Sequence, residues 1–411
     1  MHQFVKACLG GVMAASLVSA ASAREGDVPR GVAPLSHVFL IVMENHGYAE
    51  VIGNPNMPFT NRLTQHAGLA TNYFAVAHPS LTNYLEIVGG SNFGVLNDHA
   101  PDWHNSACTT NLASGQPSRD TSAYPNICPI HGNGTDAATP AIDTSNLEGN
   151  NPGPVINVDG TVGYAAAATQ GQTIAHQLVA AGRSWKAYEE NLPPTGADGV
   201  NSADGLFSNL NPPTSAGITD GVLGLYAVKH NPFAYFADIQ QGYDARLSLS
   251  RVVGFDGKGG LFADLTSGEL PDLVYIVPNQ CNDQHGRGGA GPACDYDPND
   301  VGTITGLNPA LMYQGDLMLE RIVGAIKASP AWNVGRNAIV IVWDESDYAN
   351  APITNQVTTI VKTNYGGDRG VQSGHFYTHF SLLKTLEAGF GLPCLNHACD
   401  AGTAVMTDLF H

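Results

Sequence analysis

Three short runs in this chain are apolar at every position, and each stops abruptly at a polar cluster: HVFLIVM (37–43), LVYIV (273–277) and AIVIVW (338–343). A strand solvated on one face alternates apolar with polar residues. A run without alternation has to be covered on both faces, which places it in a parallel or mixed sheet between helices. Residues 357–361 read as a fourth strand of this kind and 184–188 as a weaker fifth. Helical patterns separate them, at 173–181, 313–329 and 381–388; in the second, Leu317, Ile322, Val323 and Ile326 recur on one helix face. The alternation predicts an α/β fold: a three-layer sandwich with a mostly parallel central sheet and helices on both faces.

The rest of the chain is read around that frame. Lys6 precedes an apolar stretch at 7–21, and Ala21-Ser22-Ala23 offers the small residues of a cleavage site, so 1–23 reads as an export signal. The stretch is too short for a membrane span. Residues 34–411 are expected to form one domain. Within it, 100–170 is rich in Gly, Asn, Pro and Thr and reads as an irregular insertion. Beyond Cys8, six cysteines fall into the sequence-local couples Cys108/Cys128, Cys281/Cys294 and Cys394/Cys399. No spacing is CxxC, and disulfides in an oxidising compartment are the expected use, periplasmic or extracellular. The formal charge of −18 opposes binding to nucleic acid or to anionic membranes.

In an open α/β sheet, ligands bind beyond the carboxyl ends of the strands. Here those ends carry Glu44-Asn45, then Asn282-Asp283-Gln284-His285 just after the second run, and Asp344-Glu345. Carboxylates converging from several strands suit a divalent cation, with solvated loop acids as the plain alternative. Ser80, in HPSLTN (78–83), stands at the start of an amphipathic stretch, 82–88, in the position of an N-cap. It is read equally well as a helix cap or as a nucleophile at a helix N-terminus beside a metal. His230 in KHNPF and His379 in THFS stand in notable local contexts; His46, His66, His176 and His397 do not.

With these residues assembled, the chain resembles the phosphoesterases that include bacterial and fungal acid phosphatases and phospholipases C, within the alkaline-phosphatase-like superfamily. The segments that carry the resemblance run in the family's order: HVFLIVMENHGY (37–48), AHPSLTNYL (77–85), WKAYEENLP (185–193), KHNPFAYF (229–236), PNQCNDQHG (278–286), IVIVWDESD (339–347) and THFSLLKTLEAGFGLP (378–393). The resemblance implies an alkaline-phosphatase-like fold and one divalent cation (zinc, calcium, magnesium or manganese) held by Glu44, Asn45, Ser80, Asp344 and Glu345. It implies Ser80 as nucleophile, Asn83 as a phosphoryl-oxygen donor, and Asp283 and the histidines 230, 285 and 379 around the phosphate. Thr82 replaces the family's usual proline, Glu345 stands where some relatives have aspartate, and His375 competes with His379 for the last role.

The expected substrate is a phosphate-ester small molecule, cleaved by a phosphomonoesterase of the acid phosphatase type. A phospholipase C acting on lipid head groups is the alternative. The chain shows neither the added C-terminal β-domain of many bacterial phospholipases nor a basic membrane-docking segment, so stable membrane insertion is not expected. A binding module that keeps the fold without turnover is the reading from another class.

Overall fold

The structure is a computed structural model that describes residues 25–101, 127–137, 164, 166–193, 196–197, 224–346, 355–366 and 370–410. The proposed signal and most of the proposed insertion lie outside the described residues.

An eight-stranded sheet organises the chain. In chain order its strands are β1 (His37–Met43), β2 (Gly68–Ala70), β3 (Trp185–Glu189), β4 (Val252–Val253), β5 (Leu273–Val277), β6 (Asn337–Trp343), β7 (Thr359–Thr363) and β8 (Val371–Ser373). Across the sheet the order is β8-β2-β7-β6-β1-β5-β3-β4. β1 pairs in parallel with both β5 and β6, and β3 in parallel with β4 and β5. β7 runs antiparallel to β6 and to β2, so it alone is reversed among the described strands of this sheet. The three all-apolar runs are therefore adjacent at the centre. Every residue of β5 and β6 is buried, and so is every residue of β1 after His37.

Helices cover the sheet in two packed groups. In one, α1 (Ser80–Gly89), α2 (Ile174–Ala180) and α4 (His379–Phe390) pack on one another; in the other, α3 (Pro309–Ala328) packs against the short helices Pro58–Leu63 and Leu261–Ser267. The α/β sandwich expected from the apolar runs is present.

Two boundaries differ from expectation. The fourth strand begins at Thr359, because Val357 bridges to Gly47 instead of joining the ladder with β6. Ser80 is the first residue inside α1, and the cap position belongs to Pro79 in an extended conformation. Two expected disulfides are formed, Cys281–Cys294 and Cys394–Cys399. Cys128 is also disulfide-bonded, while Cys108 lies outside the described residues. Among the described residues no helix is long and apolar enough to cross a membrane.

Candidate active site

The site grows directly out of the central ladder. Met43 lies opposite Trp343 in the parallel register, so the next residues of both strands, Glu44 and Asp344, emerge side by side. The ladder continues into them: Asp344 N–H donates to the Met43 carbonyl (2.9 Å), and Glu44 N–H to the Asp283 carbonyl (2.9 Å). Three strand ends thus fix the backbone of three acidic residues before any side chain is considered.

α1 brings Ser80 to the same point. Its Oγ lies 3.2 Å from Glu44 Oε2 and 3.1 Å from Glu345 Oε1. On another side, Lys229 Nζ donates to it at 3.4 Å. Asn83, one turn along α1, donates to Glu345 Oε2 (3.0 Å), and its Oδ1 accepts the N–H groups of Val76 (3.2 Å) and Ala77 (3.1 Å). This locks the segment before Ser80 to the helix that follows. The N-terminus of α1 is already served internally: Leu81 N–H donates to Asp98 Oδ1 (3.0 Å) and Thr82 N–H to the Pro79 carbonyl (3.0 Å). The other Asp98 oxygen holds Lys229 Nζ at 2.9 Å, so a fixed ammonium supplies positive charge beside Ser80.

The histidines divide by environment. His230 sits 2.9 Å from Glu44 Oε1 through Nε2 and 3.2 Å from Asp283 Oδ2 through Nδ1, and the Tyr84 ring stacks on it at 5.2 Å. Burial opposes its charge, but Glu44 and Asp283 outweigh burial and raise its pKa to about 9. Burial raises Glu44 in turn, yet His230, His285 and Lys229 hold its carboxyl well below the ordinary range. Burial also lifts Asp283 to about 6, against the pull of His230. His285 goes the other way: burial and then the Lys229 ammonium, 3.2 Å from its Nε2, lower it to about 3 and keep it neutral. His379 is fully buried and is lowered to about 4 by that burial. Its Nε2 lies 2.6 Å from the Asp344 carbonyl and its Nδ1 3.0 Å from the Tyr73 hydroxyl, so it braces the strand end that bears Asp344. His375 is exposed, 4.0 Å from Asp408, and stands apart from this arrangement.

Asn45 is tied in by its backbone N–H, which donates to Asp344 Oδ1 at 3.2 Å; that oxygen also accepts Glu345 N–H at 2.7 Å. The second oxygen, Oδ2, is buried and has no hydrogen-bond partner among the described residues. Burial, Glu44 and Glu345 together push Asp344 well above its usual pKa. Around one hydroxyl, Glu44 is matched by His230 and Glu345 by His78, whose Nδ1 is 2.9 Å away, but among the described residues Asp344 has no ion-pair contact, and Lys229 offsets only part of its charge. An ionised carboxylate left in that state is several kcal/mol unfavourable. A divalent cation fits this deficit, and oxygen donors accept zinc, calcium, magnesium or manganese alike. A second donor set, Glu44 with His230 and His285, also brings its atoms within 4.8 Å of one another. There, however, the Lys229 ammonium already abuts His285, so the carboxylate side is the better electrostatic match.

Residues 54–293 match the sequence pattern of the Phosphoesterase family. The chain belongs to that family. As a phosphoesterase it is a hydrolase of phosphoric ester bonds, and the matched span contains Ser80, Asn83, Lys229, His230, Asp283 and His285. Glu44, Asp344 and Glu345 lie outside that span, yet the fold carries them to Ser80. This phosphoesterase is 24% identical over 399 residues to a phosphatidylinositol-3-phosphatase of Mycobacterium tuberculosis, covering 95% of this chain and 90% of that one. It is 22% identical over 378 residues to an acid phosphatase of Aspergillus fumigatus, covering 92% of this chain but only 59% of the fungal protein. Among solved structures it is similar to a protein of the alkaline phosphatase superfamily from Vibrio parahaemolyticus, with a TM-score of 0.44, 12% identity, and coverage of 92% and 72%. At that score the likeness adds nothing to the architecture read from the sheet itself.

Sequence reasoning assigned no role to Lys229, His78 or Asp98. The first two sit inside the quoted motifs, one residue before His230 and two before Ser80, and adjacency to a named site residue was their only signal. Asp98 carried none, since it lies in the loop beyond α1 and reaches Lys229 only through the fold.

Proposed function

We propose that this phosphoesterase is a phosphomonoesterase of the acid phosphatase type, acting through a phosphoserine at Ser80. The observation that carries the reading is the setting of the Ser80 oxygen, with two carboxylates at 3.1 and 3.2 Å on one side and a lysine ammonium at 3.4 Å on another. The acid phosphatase and phosphatidylinositol-3-phosphatase names of its relatives support it. The two disulfides support an oxidising location, periplasmic or extracellular.

In this reading Glu44, Asp344 and Glu345 would hold a divalent cation, which would supply Lewis-acid activation of the serine hydroxyl and of the phosphoryl oxygens. Ser80 Oγ forms a bond to phosphorus as the ester P–O bond breaks, and its proton passes to Glu345, 3.1 Å away. The alkoxide leaves and takes a proton from solvent. Water then attacks the phosphoserine, phosphate departs, and the serine oxygen recovers its proton. Lys229 binds the equatorial oxygens, a role in which fixed positive charge is worth most, and Asn83 joins it by turning an N–H from Glu345 to the phosphate. His230 holds Glu44 ionised and in place, and His285 fixes the direction of the lysine.

The test is acid-quench intact-mass analysis during turnover of p-nitrophenyl phosphate. A mass gain of one phosphoryl group localised to Ser80, absent in Ser80→Ala along with at least a thousandfold loss of rate, is expected. Hydrolysis that survives in Ser80→Ala removes the serine from the chemistry. Turnover of a phosphocholine diester with no monoester activity would replace this reading by the phospholipase C one.

A further inference from the structure

Tyr296 is half exposed (51%), although the loop that bears it is anchored on both sides of it. Two residues before it, Cys294 is bonded to Cys281. Directly after it, Asp297 places Oδ2 2.9 Å from His46 Nε2, and His46 Nδ1 lies 3.0 Å from the Glu44 carbonyl. The loop bearing Tyr296 is thus tied to the backbone of a residue that touches the serine.

The ring is also bedded from beneath. Gly286 and Gly288 lie against it so closely that an added Cβ would stand 3.1 Å from its Cδ1 and 3.3 Å from its Cε2 respectively. Gly286 further has φ +83°, a conformation other residues adopt with strain. Bare backbone is therefore what lies along the ring at both positions. The Tyr296 and His285 rings are 6.2 Å apart at 65° to one another. His285 contacts Lys229, and Lys229 contacts the Ser80 oxygen. Exposure rises along that line, from fully buried Glu44 through partly buried His285 to Tyr296. Tyr296 is thus the exposed end of a line of contacts that begins at the Ser80 oxygen.

We propose that Tyr296 is a specificity-determining residue that stacks against the leaving group and favours phosphate monoesters of planar, aromatic alcohols over those of small aliphatic ones. A π-face with an immobile backbone selects flat partners at little entropic cost, because the ring is already held in place. The inference rests on the phosphomonoesterase reading and adds the class of alcohol to it.

The experiment compares kcat/KM for phenyl phosphate and for glycerol 2-phosphate, by phosphate release, in the wild type and in Tyr296→Ala and Tyr296→Trp. Loss of one stacking contact predicts about a tenfold fall on phenyl phosphate in Tyr296→Ala, carried by KM, with glycerol 2-phosphate unchanged within about twofold. Tyr296→Trp keeps the preference. The aliphatic ester also serves as the folding control. If both esters change alike, or neither changes, the inference is overturned while the phosphatase reading stands. If the wild type turns over neither ester, that reading falls and takes this inference with it.

Discussion

Asp344 is the residue on which the metal argument turns. Its side chain is fully buried, one oxygen is occupied by two backbone N–H groups, the other has no donor among the described residues, and the charges of Glu44 and Glu345 act against its own. Replacing it by asparagine keeps the shape and the accepting oxygen and removes a negative charge beside those of Glu44 and Glu345. In the presence of a chelator, Asp344→Asn is expected to melt several degrees above the wild type, since relief of an unpaired buried charge is worth a few kcal/mol. Adding a divalent cation should reverse that order. A cation at a hundred times its Kd stabilises the wild type by about 2.7 kcal/mol, and the variant gains much less. Melting curves with and without zinc, calcium, magnesium and manganese decide the matter. A wild type that none of the four stabilises would leave the carboxylate cluster without its proposed occupant.

Among the elements, α1 carries Ser80, the proposed nucleophile, at one end and a demanding cap at the other. Gly90 closes it in the left-handed region at φ +69°, with its N–H on the Glu86 carbonyl at 2.9 Å. A Cβ there would stand 2.6 Å from the Leu395 carbonyl oxygen, on the segment bridged by Cys394–Cys399. Gly90→Ala therefore meets both a backbone penalty and a clash with backbone that cannot swing aside. A loss of about 2–3 kcal/mol in urea unfolding is expected, and a change under about 0.5 kcal/mol would show that the 395–397 segment yields freely. The same helix shows what the sequence reveals and what it hides. Its body was legible because 82–88 is amphipathic, and β1, β5 and β6 were legible because strands buried on both faces leave no polar gap. The acids that follow those strands were legible for the same reason, the apolar run ending where the sheet opens. β2, β4 and β8 are two or three residues long and too short to carry a period. Lys229 and His78 were hidden because a side chain's direction out of a non-periodic segment is set by tertiary contacts. His379 was placed in the phosphate pocket by resemblance, but its proximity to the Asp344 carbonyl depends on how α4 docks, which no local pattern encodes.

At the scale of the whole molecule, burial and ion pairing tilt stability toward acid. Near the far end of α1, His397 lies 2.7 Å from Asp136 and 2.6 Å from Asp400, while Glu86 accepts the Tyr164 hydroxyl at 2.7 Å. Burial lowers the His397 pKa, but the two aspartates outweigh it and raise it from 6.5 to about 9. Burial raises Glu86 from 4.5 to about 8. Both groups hold their proton more tightly in the folded chain than in the unfolded one, so both contributions decline as pH rises. The part due to Glu86 is complete below 4.5 and lost through 8; the part due to His397 is complete below 6.5 and lost through 9. For His397 the upper limit, from that shift, is about 3 kcal/mol. Thermal midpoints should therefore fall from pH 6.5 to 9, and His397→Gln should make that fall shallower while leaving the slopes due to Glu86 and to His46 and His230, both also raised to about 9. The slope is the decisive quantity, because below about pH 9 the substitution also costs stability by leaving Asp136 and Asp400 without their cation. Wild-type and variant curves that stay parallel to pH 9 would mean that the histidine is already neutral in the folded protein, and that the tie between the C-terminal turn and Asp136 is an uncharged hydrogen bond.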